Sequence, residues 1–293
     1  MSRILTVDIG NSSIVAGVLN NGEPEFTGRI ATMRDYGKKE ITKALGGLLQ
    51  DYLDQIEAEY EEAPFRGAIL SSVVPEINEV TLYAMEEITG TKPLLMSDKL
   101  ITGIDISNYS KGKIGADRIV DLSAAKSMFK DRPVMVCDLG TCSTITVADE
   151  NGKLIGGMIA PGVQLSLDAE AMRTAQLPQL SAGEVTEILG TDTASNMMSG
   201  AVAGAGMMIS GAAERISADY KLDNMALVIT GGLGSLVIPW INREVCYEKD
   251  LLLRGLNAIF ELNASSYESE VDHAIRKKYS IRSYRGDRGL QVG

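Results

Sequence analysis

One pattern is written twice in this chain, 130 residues apart. Residues 5–22 read LTVDIGNSSIVAGVLNNG and residues 135–152 read MVCDLGTCSTITVADENG. Each copy is an apolar run, Asp-x-Gly followed by Asn or Thr, a small polar residue, a second alternating run and an Asn-Gly pair. Alternation closed by Asn-Gly is a hairpin signature, so each copy predicts two strands around a glycine turn. Asp8 and Asp138 occupy matching positions. One such hairpin is compatible with a plain Asp-Gly turn. Two in the same context point to a duplicated α/β fold with an inward-facing phosphate turn in each half.

The rest of the chain fits that duplication. Arg3–Asp8, Ile14–Leu19 and Glu25–Ala31 read as strands. Ile41, Ala44, Leu45, Leu48, Leu49, Tyr52, Leu53 and Ile56 keep helical spacing. A strand is expected over Gly67–Val74, a helix near Asn78–Thr89, and a strand over Lys92–Met96 with Pro93 near its start. The second half repeats the opening with strands at Val134–Asp138, Thr144–Ala148 and Leu154–Ala160. Helices near Val163–Met172 and Thr193–Tyr220, a strand at Met225–Ile229, a turn over Gly231–Gly234 and closing helices complete it. The boundary is placed near Gly115, giving domains 1–115 and 116–281. The Gly- and Arg-rich tail, 282–293, has no periodicity.

Composition limits the partners. With 45% hydrophobic and 23% charged residues, the 293-residue chain can bury a core. A net charge of −11 excludes a generally basic nucleic-acid surface, although turn amides and helix N-termini hold phosphate without one. No secretory signal precedes the first strand, and three cysteines (Cys137, Cys142, Cys246) without a Cys-x-x-Cys pair fit buried thiols in a reducing cytoplasm. Met197–Ala213 is diluted by Ser and Gly and reads as a buried, tightly packed helix of a soluble protein, not a membrane span. A lone histidine, His273, rules against a His-based zinc site or a Ser-His-Asp triad.

The turns carry the chemistry. Gly10 and Gly140 are expected to take backbone conformations closed to other residues and to let a ligand approach. The amides that follow, with the hydroxyls of Ser12, Ser13, Thr141 and Ser143, can donate to phosphate oxygens. Asp8 and Asp138 can hold a cation or organise its water. Other phosphate motifs fail: Lys111-Gly112-Lys113 lacks the remaining elements of a P-loop, and no Gly-x-Gly-x-x-Gly follows the first strand. Between the repeats lies Gly115-Ala116-Asp117-Arg118. At a helix start Asp117 can act as a general base and Arg118 can grip a carboxylate. The competing reading is an N-cap aspartate beside a solvated arginine.

Taken in order, Asp8-Ile9-Gly10-Asn11-Ser12, Gly115–Arg118 and Asp138-Leu139-Gly140-Thr141 resemble the type III pantothenate kinases of the acetate and sugar kinase/Hsp70/actin superfamily. The likeness covers about residues 3–262 and extends to Ser71–Pro75, Gly156–Gly162 and Thr230–Gly232. It implies duplicated ribonuclease H-like domains with an inter-domain cleft (the actin-like ATPase fold), and ATP-dependent phosphorylation of pantothenate, the first step toward coenzyme A. The resemblance further implies that Asp8, Ile9, Gly10, Asn11, Ser12, Ser13, Ile14, Val15 and Thr141 contact ATP. Tyr109, Gly115, Ala116, Asp117, Arg118 and Thr193 would contact the substrate, Thr193 from a partner subunit of a homodimer, with Asp117 catalytic. Asp138 would hold a monovalent cation, K+ or NH4+, while Mg2+ accompanies ATP. Tyr109 precedes Asp117 by eight residues where the family has nine, and Cys142 stands where the family often has Ala. Two alternatives stay open: a kinase of the same superfamily acting on another small hydroxy compound, and an inactive nucleotide-binding regulator.

Overall fold

A computed structural model describes residues 3–57, 65–109 and 114–267. His273, the tail 282–293 and Lys111–Lys113 lie outside the described residues. The described residues pack as two compact units, one made of those up to Ile101 together with those from Leu256 to Tyr267, the other of those from Thr102 to Gly255. The chain thus passes between units at Ile101 and again at Leu256, whereas the sequence division was a single cut near Gly115.

In the first unit β1 (Arg3–Ile9) pairs antiparallel with β2 (Ser13–Asn20), and β2 antiparallel with β3 (Glu23–Ala31). Across its other edge β1 runs parallel to β4 (Phe65–Ser72), which runs parallel to the two-residue β5 (Leu94–Leu95). The order is β3-β2-β1-β4-β5. The centre of the sheet is buried on both faces, which explains the near-continuous apolar reading of β1 and β4. One face carries α1 (Lys38–Glu57) and α2 (Asn78–Thr89), whose Ile41, Leu45, Leu49, Ala84 and Met85 meet Leu5, Val7, Ile9 and Leu70. Each fully buried aliphatic side chain there contributes about 1.5–3 kcal/mol. A helix over 251–267 supplies Phe260 and Tyr267, whose rings meet edge-on at 5.2 Å. A side chain at Gly67 would run into the Phe260 ring.

Polar groups staple this unit. Arg3 Nε donates to Glu25 Oε2 at 2.7 Å and to the Tyr52 hydroxyl at 3.0 Å, and that hydroxyl donates to Glu25 Oε2 at 2.5 Å. The triad joins β1, β3 and α1. Burial alone would push the Glu25 carboxyl up; hydrogen bonds from Tyr52, Arg3 and Asn20 overcome it and hold the carboxyl below its ordinary value.

The second unit repeats the plan. β6 (Val134–Leu139) is antiparallel to β7 (Cys142–Ala148), β7 to β8 (Leu154–Pro161), while β6 runs parallel to β9 (Ala226–Thr230) and β9 to β10 (Cys246–Tyr247). The order β8-β7-β6-β9-β10 matches the first sheet strand for strand. This is the ribonuclease H-like plan present twice, within the actin-like ATPase fold. One face of the sheet packs against α5 (Thr193–Tyr220), α4 (Val163–Arg173) and α6 (Gly234–Val237). α3 (Ala116–Met128) contributes Leu122, Ala124 and Ala125 to a separate cluster with Val134 and Val136.

The copies differ in their turns. Ile9 pairs with Ile14 across a four-residue turn, and Leu139 with Ser143 across a three-residue turn. Asn21 and Gly22, with φ of 51° and 82°, form the expected two-residue hairpin. In the second copy only Gly152 has positive φ, and the connection runs over 149–153. There Asp149 Oδ1 accepts from the amides of Asn151 and Lys153 and shapes a longer loop. β5 starts later than the expected Lys92–Met96 because Pro93 offers no amide to the ladder, while Met96 still donates its amide to the Leu70 carbonyl at 2.8 Å.

Two expectations need correction. α5 is not buried all round: Val202, Ala203, Gly206, Ile209 and Ala213 face the core, while Gly200, Met207 and Gly211 are exposed. Among the described residues no helix is long and apolar enough to cross a membrane. Of the thiols only Cys137 is buried; Cys142 is exposed, because the three-residue turn lifts it out of the hairpin core, and Cys246 is half-buried.

Candidate active site

β6 ends at the second turn and sets Asp138 between β7 and β9, opposite Thr144 and Thr230. Its carboxyl is raised to about 6, first by burial and then by the negative charge of Asp117. Gly140 and Gly231 flank it. A Cβ at Gly231 would lie 2.6 Å from Asp138 Oδ1 and from the Leu139 backbone, and Gly231 has φ of 92°. The cradle around this carboxylate therefore requires glycine on both counts. A Cβ at Gly140 would stay 3.7 Å from both Asp138 oxygens, an ordinary contact. Gly162 lies under the turn, donating its amide to the Thr141 carbonyl at 3.1 Å, with no room for a side chain against Gly140 and Thr141. Thr141 is exposed on the turn and Ser143 is buried beneath it.

α3 begins beside this turn. Gly115 is its N-cap, in extended conformation, and Ala116 opens the helix. A side chain at Gly115 would run into Asp117 Oδ1, the same oxygen that accepts from the Arg118 amide at 2.9 Å. Asp117 is thus folded back against the helix N-terminus, where backbone dipoles favour a carboxylate. Arg118 turns inward and is 8% exposed. Its Nε donates to Thr146 Oγ1 at 2.8 Å and its Nη2 to the Ile145 carbonyl at 3.2 Å. Among the described residues no carboxylate pairs with it. The solvated-arginine reading of this segment is therefore wrong: the α3 geometry buries the guanidinium over β7.

The first turn behaves differently from expectation. Neither Gly10 nor Gly140 has positive φ; among the described glycines that property belongs to Gly22, Gly90, Gly103, Gly152 and Gly231. The Gly10 amide donates to the Ser13 carbonyl at 3.0 Å, closing the turn internally. Thr32 clamps it from β3's end, its hydroxyl donating to the Gly10 carbonyl at 2.8 Å and its amide to that of Ser12 at 3.2 Å. Asn11 and Ser12 are exposed, Asp8, Ser13 and Val15 are half-buried, and Ile9 and Ile14 are core residues that can offer a ligand only backbone atoms. Arg34 reaches the Asn11 side chain at 2.9 Å and Glu76 at 3.0 Å, placing a cationic group at this turn.

Two predicted substrate residues are set apart by their surroundings. Tyr109 is half-buried against the α3 cluster. Thr193 is exposed in the first turn of α5, behind Asp192, whose carboxylate accepts from the Ser195 amide at 2.8 Å. Ser195 Oγ accepts in return from the Asp192 amide, a capping box that gives Asp192 a structural purpose. Sequence reasoning missed Thr32, Arg34, Thr146 and the roles of Gly157, Gly162 and Gly231. The glycines stood in quoted motifs; Thr146 is one alternating strand residue with no signal of its own.

The chain's relatives bear on this arrangement. The family model of the type III pantothenate kinases matches residues 4–215. A type III pantothenate kinase of Agathobacter rectalis is 31% identical over 257 residues, 88% of this chain and 96% of that protein. One from Shouchella clausii is 32% identical over 261 residues, 89% and 99% of the two chains. Among solved structures, one from Campylobacter jejuni described as a conserved Baf family transcriptional activator superposes with a TM-score of 0.53 at 19% identity, covering 89% of this chain and 99% of that one. That likeness bears on fold alone.

Proposed function

The chain belongs to the type III pantothenate kinase family, and we propose from that premise how its residues divide the work. The reaction is ATP-dependent phosphorylation of pantothenate to 4'-phosphopantothenate, the first step of coenzyme A biosynthesis, with Mg2+ accompanying ATP. The observation that carries the assignment of residues is Arg118. It is a buried guanidinium with no carboxylate partner among the described residues, adjoining Asp117 at the start of α3. A buried charge is costly until paired, and the two bonds it makes leave most of its five N–H donors available. A substrate bearing a carboxylate and a primary hydroxyl complements such a pair.

In this reading Arg118 binds the pantothenate carboxylate, with Gly115, Ala116 and Tyr109 shaping the pocket. Asp117 accepts the hydroxyl proton while the alcohol oxygen bonds to the γ-phosphorus and the bond to the β-phosphate oxygen breaks, releasing ADP. The turn from Asp8 to Val15 and the Thr141 hydroxyl hold the ATP phosphates. Asp138, cradled by Gly231, fits a monovalent cation such as K+ or NH4+: it is a single hard carboxylate already withdrawn from water. Such an ion would supply positive charge beside the phosphates. Mg2+ would arrive on the nucleotide, held by its phosphate oxygens.

The same reading makes the enzyme a cytoplasmic homodimer. Gly200, Gly204, Met207 and Gly211 share one face of α5 by helical spacing, and a Cβ at any of the three glycines would meet nothing within 4 Å. A second copy packed on that face would lie on the same helix that presents Thr193, which supports the cross-subunit role of that threonine.

ADP release with ATP, Mg2+ and K+ tests the proposal. Release dependent on pantothenate supports it. Release only with a sugar or another short hydroxy compound replaces the substrate, and nucleotide binding without release to any acceptor replaces the enzyme with a regulator.

A further inference from the structure

We propose that Thr146 and Gly157 form a slot that positions Arg118 for substrate, making Thr146 a specificity-determining positioning residue. The inference rests on the reading of Arg118 as the carboxylate-binding group.

The slot is built across two strands. Thr146 on β7 lies in register with Gly157 on β8. Thr146 is 2% exposed, and its hydroxyl oxygen accepts the Nε–H of Arg118 at 2.8 Å. The adjacent Ile145 carbonyl accepts from Nη2 at 3.2 Å. Any side chain at Gly157 would run into Nη2 and into the Ile145 carbonyl. The guanidinium plane is therefore fixed at two points by acceptors and given clearance at a third by a missing side chain. Both acceptors are neutral, so they orient the cation without neutralising it. A carboxylate in place of Thr146 would orient Arg118 equally well and cancel the charge that the substrate needs. A long side chain of several rotatable bonds would otherwise sample many rotamers, and fixing it beforehand removes that entropic cost from substrate binding.

The experiment compares Thr146→Val, Thr146→Ser and Arg118→Ala in steady-state assays and in calorimetric titration with pantothenate. Thr146→Val keeps shape and removes the acceptor. Its KM and Kd for pantothenate are expected to rise about tenfold, the usual weight of a hydrogen bond to a charged group. KM for ATP should stay within about twofold and kcat within about threefold. Thr146→Ser restores the acceptor and should return pantothenate KM to within about twofold of the parent. Arg118→Ala should weaken pantothenate binding about a hundredfold or more. If Arg118→Ala weakens binding and Thr146→Val leaves it unchanged, the positioning role is overturned. If Arg118→Ala itself leaves pantothenate binding unchanged, the underlying role of Arg118 falls, and the slot with it. Should Thr146→Val not fold, Thr146→Ala with the same titration decides between these outcomes.

Discussion

Burial first, and then the negative charge of Asp117 at the start of α3, raises the carboxyl of Asp138 at the end of β6 to about 6. Two acidic groups assigned different tasks therefore share one electrostatic environment. In the proposed mechanism one exchanges a proton with the substrate and the other must stay ionised to hold a cation.

Proton and cation should compete at Asp138. Its raised value means the carboxyl is increasingly neutral as pH falls through about 6, so the K+ concentration for half-maximal activity should rise between pH 7.5 and pH 5.5. Titrating K+ activation at both values checks this. A K+ requirement that does not change with pH would remove Asp138 from the cation site.

The same shift predicts a stability effect of definite sign. An acid whose folded value lies above its unfolded value, near 3.8, binds more protons folded than unfolded between those values, so folding loses stability as pH rises through that window. In buffer free of K+ and NH4+, Asp138→Asn should melt above the parent at pH 7.5, and the gap should close toward pH 4. Thermal melts across that range read the difference.

Asp117→Asn should lower kcat by about 10²–10⁴-fold, the usual weight of general acid–base catalysis, while ATP affinity by titration stays within a few-fold. Near-parental turnover would show that another group takes the proton.

Glu25 provides a structural control away from the chemistry. Its carboxyl is held low despite burial because Tyr52, Arg3 and Asn20 donate to it, so its contribution is present above about pH 4.5 and is lost as pH falls below it. Glu25→Gln should cost about 0.5–1 kcal/mol at pH 7 by chemical denaturation, the weight of a solvent-screened pair, with less difference near pH 3 and little change in pantothenate KM.

Gly204→Leu should fill the open face of α5 and shift the protein from twice its 31.4 kDa chain mass toward the single-chain mass in sedimentation. If Thr193 acts across that contact, activity should fall in step with the loss of dimer. A parent protein that sediments at the single-chain mass would overturn the homodimer.

The doubled hairpin and the periodicity around it determined the repeated succession of strands and helices along the chain, because alternation, Asn-Gly and helical spacing are local properties; the order of strands within each sheet came from the tertiary structure. The Gly115–Arg118 segment likewise announced a helix start with an acid and a base. The sequence did not reveal that the second turn is one residue tighter, which follows from strand register between Leu139 and Ser143. Nor did it show that the glycine required beside Asp138 is Gly231, more than ninety positions away and brought there by the parallel pairing of β6 with β9. Arg118 marks the division most clearly. Its presence beside Asp117 is written in the chain. Whether it points to water or into the β7–β8 slot depends on Thr146 and Gly157, residues placed by hydrogen-bonded strands distant in sequence. Local spacing fixes which elements form; only their packing decides which side chains lose water together, and that loss of water gives Asp138 its shifted carboxyl and Arg118 its unpaired charge.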